Sequence, residues 1–194
     1  TSSKLGRDVK SRSILIAKVM KSIDTIDFEL ENTEIDVLGD AYEYLIGMYA
    51  ATAGKKAGEF YTPQSVSKLL SLLATDGLKQ TKAVCDCACG SGSLLLKAAK
   101  ILGKDKVRQG FFGQEINITT YNLCRINMFL HDVSYDKFNI KLGDTLIDPK
   151  HWDDEPFEAI VSNPPYSIKW EGDDNPILIN DQRFSPAGVL APKG

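Results

Sequence analysis

A glycine-rich turn caught between two apolar runs limits most tightly how this chain can fold. Ala83 to Asp86 reads as a buried strand and Ser93 to Leu102 as an apolar helix; Asp86-Cys87-Ala88-Cys89-Gly90-Ser91-Gly92-Ser93 joins them. A strand that turns tightly into a helix opens a βαβ unit, whose strands pair in parallel and are buried. The alternation continues downstream. Phe111 to Glu115, Phe138 to Leu142 and Phe157 to Ser162 read as strands, and Ile118 to Leu130 reads as a helix. A helix is also expected over Pro63 to Leu73, with Thr62 as its N-cap and Pro63 at the first helical position. The expected fold is α/β, a Rossmann-like doubly wound parallel sheet.

Upstream the character differs. Ile14, Leu15, Ala17, Val19 and Ile23 form an apolar stripe, and Asp36 to Tyr49 reads as a second helix. Gly54-Lys55-Lys56-Ala57-Gly58 is a loop signal, so the boundary is placed there: residues 1–58 helical, residues 59–194 the α/β core. The first residue is Thr1 rather than Met, and the chain is expected to begin inside a longer protein. No run of 18 apolar residues is present, so no membrane contact is expected. Cys85, Cys87 and Cys89 alternate, which is not zinc spacing. No metal site is expected, and reduced cysteines fit a cytoplasmic protein. The net charge is -3, so the chain lacks the basic excess of a protein that grips DNA unaided.

The glycine turn suits a ligand. Gly90 and Gly92 allow close approach to the backbone, and the helix start at Ser93 offers free N–H groups to an anion. The spacing is neither the dinucleotide fingerprint nor a P-loop, so a carboxylate-bearing ligand without phosphates fits. Glu115 lies 23 residues past Gly92 at the tip of the next strand, where a carboxylate can accept from both hydroxyls of a ribose. Asp144, just past the third strand, can accept from an exocyclic amine, with Leu146 against the ring; taken alone, Asp144 reads more readily as a turn residue.

Ser162-Asn163-Pro164-Pro165-Tyr166 follows the last strand. Two prolines fix a rigid loop whose carbonyls remain acceptors. The Asn163 oxygen and the Pro164 carbonyl can each accept one N–H of an exocyclic amino group, which turns the nitrogen lone pair toward an electrophilic methyl. Tyr166 can stack on the planar base. Such chemistry needs positioning and electrostatics more than a strong base. Methylation of adenine in DNA, adenine in RNA or glutamine in a protein would all use it, and an inactive interaction module is the non-enzymatic alternative.

Taken together the chain resembles the modification subunit of type I restriction-modification systems, an adenine-N6 DNA methyltransferase family. The shared text runs over about residues 36 to 193. It includes Gly58-Glu59-Phe60-Tyr61-Thr62-Pro63, Cys89-Gly90-Ser91-Gly92-Ser93, Gly113-Gln114-Glu115 and Asn127-Met128-Phe129-Leu130-His131. It continues through Gly143-Asp144-Thr145-Leu146, Ile160 to Trp170 and Arg183 to Lys193. The resemblance implies S-adenosyl-L-methionine as cofactor. Glu59, Phe60, Tyr61, Thr62, Pro63 and Gln64 are then expected around its methionine end, Asp86, Gly90, Ser91, Gly92 and Ser93 along it, Glu115 on the ribose, and Asp144 with Leu146 at the adenine. Asn163, Pro164, Pro165 and Tyr166 are expected to take a flipped-out adenine. DNA, a specificity subunit that reads the sequence, and a restriction subunit are the implied partners. Cys87 departs from the family, which usually carries Pro there. The family sheet has seven strands; the four here are expected in the order 3-2-1-4, with the fourth a long apolar edge, and the isolated piece is expected to be inactive.

Overall fold

The computed structural model describes residues 8–27, 37–52, 62–154, 156–165 and 169–187. The chain divides into two units, residues 1–38 and 39–194. In the first, helix α1 (Val9–Asp24) is capped by Asp8, whose carboxylate accepts from Ser11 N at 2.8 Å. None of its side chains is buried. Among the described residues no helix is long and apolar enough to cross a membrane.

The second unit is built on four parallel strands, β1 (Thr81–Asp86), β2 (Val107–Glu115), β3 (Phe138–Leu142) and β4 (Ala159–Ile160), in the order β3-β2-β1-β4. This is the expected order. Helices α4 (Ser93–Leu102) and α5 (Ile118–Leu130) cross over between them, after α2 (Val37–Thr52) and α3 (Gln64–Ala74); α6 (Pro176–Ile179) is a single turn near the end. Helix α2, upstream of the boundary expected at residue 58, lies mostly in this second unit.

Strand residues alternate between the two faces of the sheet. Val84, Phe111 and Ile140 face a core completed by Leu94, Leu95, Ala98 and Leu102 of α4 and by Cys124 and Met128 of α5. Full burial of side chains such as Leu95, Phe111 and Met128 stabilises the fold by about 1.5–3 kcal/mol each. Small residues let α3 lie close on α4: Ser67 and Ser71 are fully buried, and Ser71 Oγ donates to Leu94 O at 3.3 Å. The opposite face carries a smaller cluster of Ala83, Cys85 and Phe112. Phe112 meets His151 edge-on at 5.4 Å and Phe157 at 5.2 Å.

Three local expectations are corrected. Pro63 is itself the N-cap of α3, at φ -53 and ψ 140, and Thr62 faces elsewhere. Strands β1 and β2 start earlier than the apolar runs suggest, because Glu158 accepts from Thr81 Oγ1 and Lys82 N, while a register shift between Thr81 and Ala83 keeps Val107 paired. Strand β4 is only two residues long, not an edge over Phe157 to Ser162. Pro156 and Pro164 flank it and cannot donate to a ladder, and pairing ends where Val161 N reaches Cys85 O at 2.9 Å.

Candidate active site

The parallel strands bring their carboxyl ends together, the place where ligands bind in open α/β sheets. Asp86 closes β1. It is 1% exposed, and Oδ1 accepts from Ala88 N at 3.0 Å, which starts the glycine turn. Oδ2 is fully buried, and hydrogen bonding from the Ser162 side chain favours the ionised form. Burial, with the Glu115 carboxylate as a lesser cause, pushes the Asp86 carboxyl up to about 7. Gly92 then takes φ 85 and ψ 8, left-handed backbone, as the N-cap of α4. A Cβ there would stand 2.8 Å from Cys124 Sγ, so glycine is required by both backbone and space. Ser91 and Ser93 share a hydroxyl hydrogen bond at 3.0 Å. Cys87 in this turn is exposed, whereas Cys89 is buried and its thiol is raised well above the usual range, first by hydrogen bonding with Cys124 and then by burial.

Glu115 ends β2 and is nearly buried. Oε2 accepts from Gly90 N at 3.1 Å and Oε1 from Asn117 N at 2.7 Å. Its carboxylate therefore braces the glycine turn from the neighbouring strand, and burial raises its pKa. Past β3, Asp144 Oδ1 accepts from Leu146 N at 2.9 Å, so Asp144 is a turn former wherever else it acts. Leu146 is partly exposed beside it. Thr145 Oγ1 donates to Cys87 O at 2.6 Å and joins this loop to the glycine turn. Beneath, the buried Gln114 side chain donates to Asp148 O at 2.8 Å and accepts from Lys150 N at 3.0 Å.

Asn163 and Pro164 follow β4. Asn163 Nδ2 donates to Thr62 Oγ1 at 3.3 Å, which uses the nitrogen end of the amide and makes the oxygen the acceptor end. Thr62, expected near the methionine end of the cofactor, thus lies against the Asn-Pro-Pro loop. Gln64 Nε2 donates to the Glu43 carboxylate. Glu59, Phe60, Tyr61 and Tyr166 lie outside the described residues.

Sequence reading missed two groups here. Glu43 of α2 accepts from Asn127 Nδ2 at 2.6 Å, while Asn127 Nδ2 also donates to Ser91 O at 3.0 Å. Helix α2 is thereby tied to the glycine turn through a fully buried asparagine. Behind Ser93 a cavity of about 540 Å3 is lined by Asp40, Glu43, Gln64, Lys97 and Lys100 among others. The second missed group is Arg183, whose guanidinium donates to Thr145 O at 2.6 Å and to Leu146 O.

Residues 33–194 match the N-6 DNA methylase family. The chain belongs to that family. A similar curated protein is the MpnII methylase subunit of a type I restriction enzyme from Mycoplasma pneumoniae, 49% identical over 199 residues, 97% of this chain and 36% of that protein. The MjaVIII methylase subunit of a type I restriction enzyme from Methanocaldococcus jannaschii is 33% identical over 79% of this chain and 27% of its own length. Among solved structures, a type I restriction-modification methyltransferase subunit from Streptococcus thermophilus superposes with a TM-score of 0.79 at 41% identity, covering 99% of this chain and 40% of that one. A Listeria monocytogenes protein assigned to the class I S-adenosylmethionine-dependent methyltransferases shares the fold, with a TM-score of 0.64 at 17% identity over 86% of this chain and 49% of its own. The chain spans well under half the length of the two curated relatives and of the Streptococcus structure.

Proposed function

We propose that this chain is the cofactor- and target-binding part of a DNA adenine-N6 methyltransferase, the modification subunit of a type I restriction-modification complex. Family membership sets the reaction class. The observation that carries the reading is the juxtaposition, at one end of the sheet, of a glycine turn braced by Glu115 with an Asn163 amide whose nitrogen is engaged by Thr62. S-adenosyl-L-methionine fits the first half. The buried Asp86 carboxyl at the end of β1 suits an N–H donor or a cation. Glu115 lies one strand over for the ribose, and Asp144 with Leu146 supplies a polar and an apolar contact for the adenine.

Bound there, the cofactor supplies a sulfonium methyl, so transfer to nitrogen needs no covalent enzyme intermediate. The protein's part is positioning. Asn163 Oδ1 and the Pro164 carbonyl accept the two N–H bonds of the target amine and draw its lone pair out of the ring. Pro165 keeps the loop from yielding, and Tyr166 stacks on the base. The target adenine must leave the duplex to reach these groups. Because the chain carries a net charge of -3, DNA affinity and sequence reading are assigned to a specificity subunit, with a restriction subunit completing a cytoplasmic complex.

The test is transfer of isotopically labelled methyl by the full-length protein with its specificity partner, offered duplex DNA, RNA and protein. Label in N6-methyladenine of DNA is the expected result. Label in RNA, in glutamine or in cytosine would replace this reading with another.

A further inference from the structure

Arg183 sits 37 residues beyond Leu146, in a segment whose only described α-helix is one turn long, yet its guanidinium donates to three residues, Asp181, Thr145 and Leu146. Nε donates to Asp181 Oδ1 at 2.9 Å and Nη2 to Asp181 Oδ2 at 2.7 Å, a two-pronged pair whose side chains are 19% and 16% exposed. Arg183 N adds a backbone bond to Asp181 Oδ1 at 2.8 Å. The guanidinium also lies 5.0 Å from the centre of the Phe184 ring and 6.0 Å from that of Trp152. Asp181 is held down to about 2, chiefly by this guanidinium, so the pair stays charged across the neutral range.

The outward prongs of this fixed fork end on two successive carbonyls. Nη1 donates to Thr145 O at 2.6 Å and Nη2 to Leu146 O. These peptides belong to the turn that Asp144 Oδ1 closes on Leu146 N, and Thr145 Oγ1 pins the turn to Cys87 O. The strand side is already held by Gly143 N on Glu115 O at 3.0 Å and by Asp148 N on Asp144 O at 2.8 Å. Without Arg183 the carbonyls on the exposed side of the turn would lose those two donors. Lysine cannot replace it, because three donors on one nitrogen cannot span two carbonyls and a carboxylate in a plane.

We infer that Arg183 is a positioning residue which, through the Thr145 and Leu146 carbonyls, sets the purine selectivity of the cofactor site. The inference rests on the reading that Asp144 and Leu146 meet the cofactor's adenine. Purine choice depends on where the Asp144 carboxylate stands relative to the ring edge, and the peptides that Arg183 holds are the next two in the chain.

The test is calorimetric titration of the full-length protein with S-adenosylhomocysteine and with S-inosylhomocysteine, in which a carbonyl replaces the 6-amino group. The wild type is expected to prefer the adenosyl compound by about tenfold or more, the worth of a hydrogen bond to a charged group. Asp144→Ala should reduce that preference to about twofold. Arg183→Lys should reduce it as far, because lysine cannot hold both carbonyls. Asp181→Asn, which loosens the fork but keeps its shape, should give an intermediate preference and decides the matter if Arg183→Lys does not fold. If Asp144→Ala abolishes the preference while Arg183→Lys and Asp181→Asn keep it, or weaken both ligands equally, the inference about Arg183 is wrong and the adenine reading stands. If Asp144→Ala keeps the full preference, the adenine reading falls and takes this inference with it.

Discussion

At the carboxyl ends of β1 and β2, three backbone N–H groups are held by carboxylates that are almost out of water: Ala88 by Asp86, and Gly90 and Asn117 by Glu115. At the end of β4, Asn163 is half-buried, its bond to Thr62 Oγ1 is a long 3.3 Å, and the strand that delivers it is two residues long. The first region is built to keep its shape whether or not it holds a ligand. The second is stiffened along the chain by its two prolines and delivered by a much shorter strand. Such a division suits a reaction in which the cofactor is recognised tightly and the target base has to enter and leave.

The contrast can be broken most severely at Gly92. Gly92→Val puts a β-branched side chain at positive φ and drives its Cβ into Cys124 Sγ, at a cost of about 3 kcal/mol or more. Denaturant unfolding of the full-length protein should show that loss, with cofactor affinity falling alongside it. A variant of wild-type stability would mean the turn is not packed as described.

Asp86 gives the next largest effect, and it is visible in pH. Its folded pKa, raised to about 7, lies above the unfolded value of 3.8, so the fold favours the protonated form. That contribution is present below about pH 4 and is lost as pH rises toward 7. Relative to Asp86→Asn, the wild type without cofactor should lose about 2–3 kcal/mol between pH 5 and pH 8, followed by unfolding at each pH. Parallel pH curves for the two proteins would show that Asp86 ionises normally.

Thr62→Val is the mildest probe and acts on the other region. Removing the hydroxyl that Asn163 uses should slow methyl transfer about two- to fivefold, on the scale of one weak hydrogen bond, and leave cofactor affinity unchanged. A fall in affinity with an unchanged rate would move Thr62 back to the cofactor side, where the family resemblance put it.

What the sequence disclosed follows the same line. Helices α4 and α5 and strand β3 begin and end where their apolar patterns do, because Leu94, Leu95, Cys124 and Met128 are buried on one continuous face. The glycine turn was legible because only glycine tolerates the position of Gly92. The N-cap role of Pro63 and the brevity of β4 between Pro156 and Pro164 left no mark in the apolar pattern. The early start of β1 was not legible, because it depends on Glu158, distant in the chain. The side-chain braces were hidden for the same reason. Glu43 meets Asn127 and Arg183 meets Thr145 across separations of 84 and 38 residues, and no local periodicity encodes either.

The central claim is that binding and chemistry are divided between the two regions, and one paired experiment addresses it directly. Glu115→Ala and Asn163→Ala are made in the full-length protein. Each is titrated with cofactor by calorimetry and then assayed with its specificity partner for single-turnover methylation of DNA carrying the recognised site. Glu115→Ala should weaken cofactor binding by about 1.5–3 kcal/mol, the worth of hydrogen bonds to a charged acceptor. Asn163→Ala should leave that affinity within about threefold yet slow methyl transfer on the order of 100-fold or more, by analogy with the loss of a transition-state hydrogen-bond donor. Methyl transfer by Asn163→Ala at the wild-type rate, or unchanged cofactor affinity in Glu115→Ala, would contradict the division.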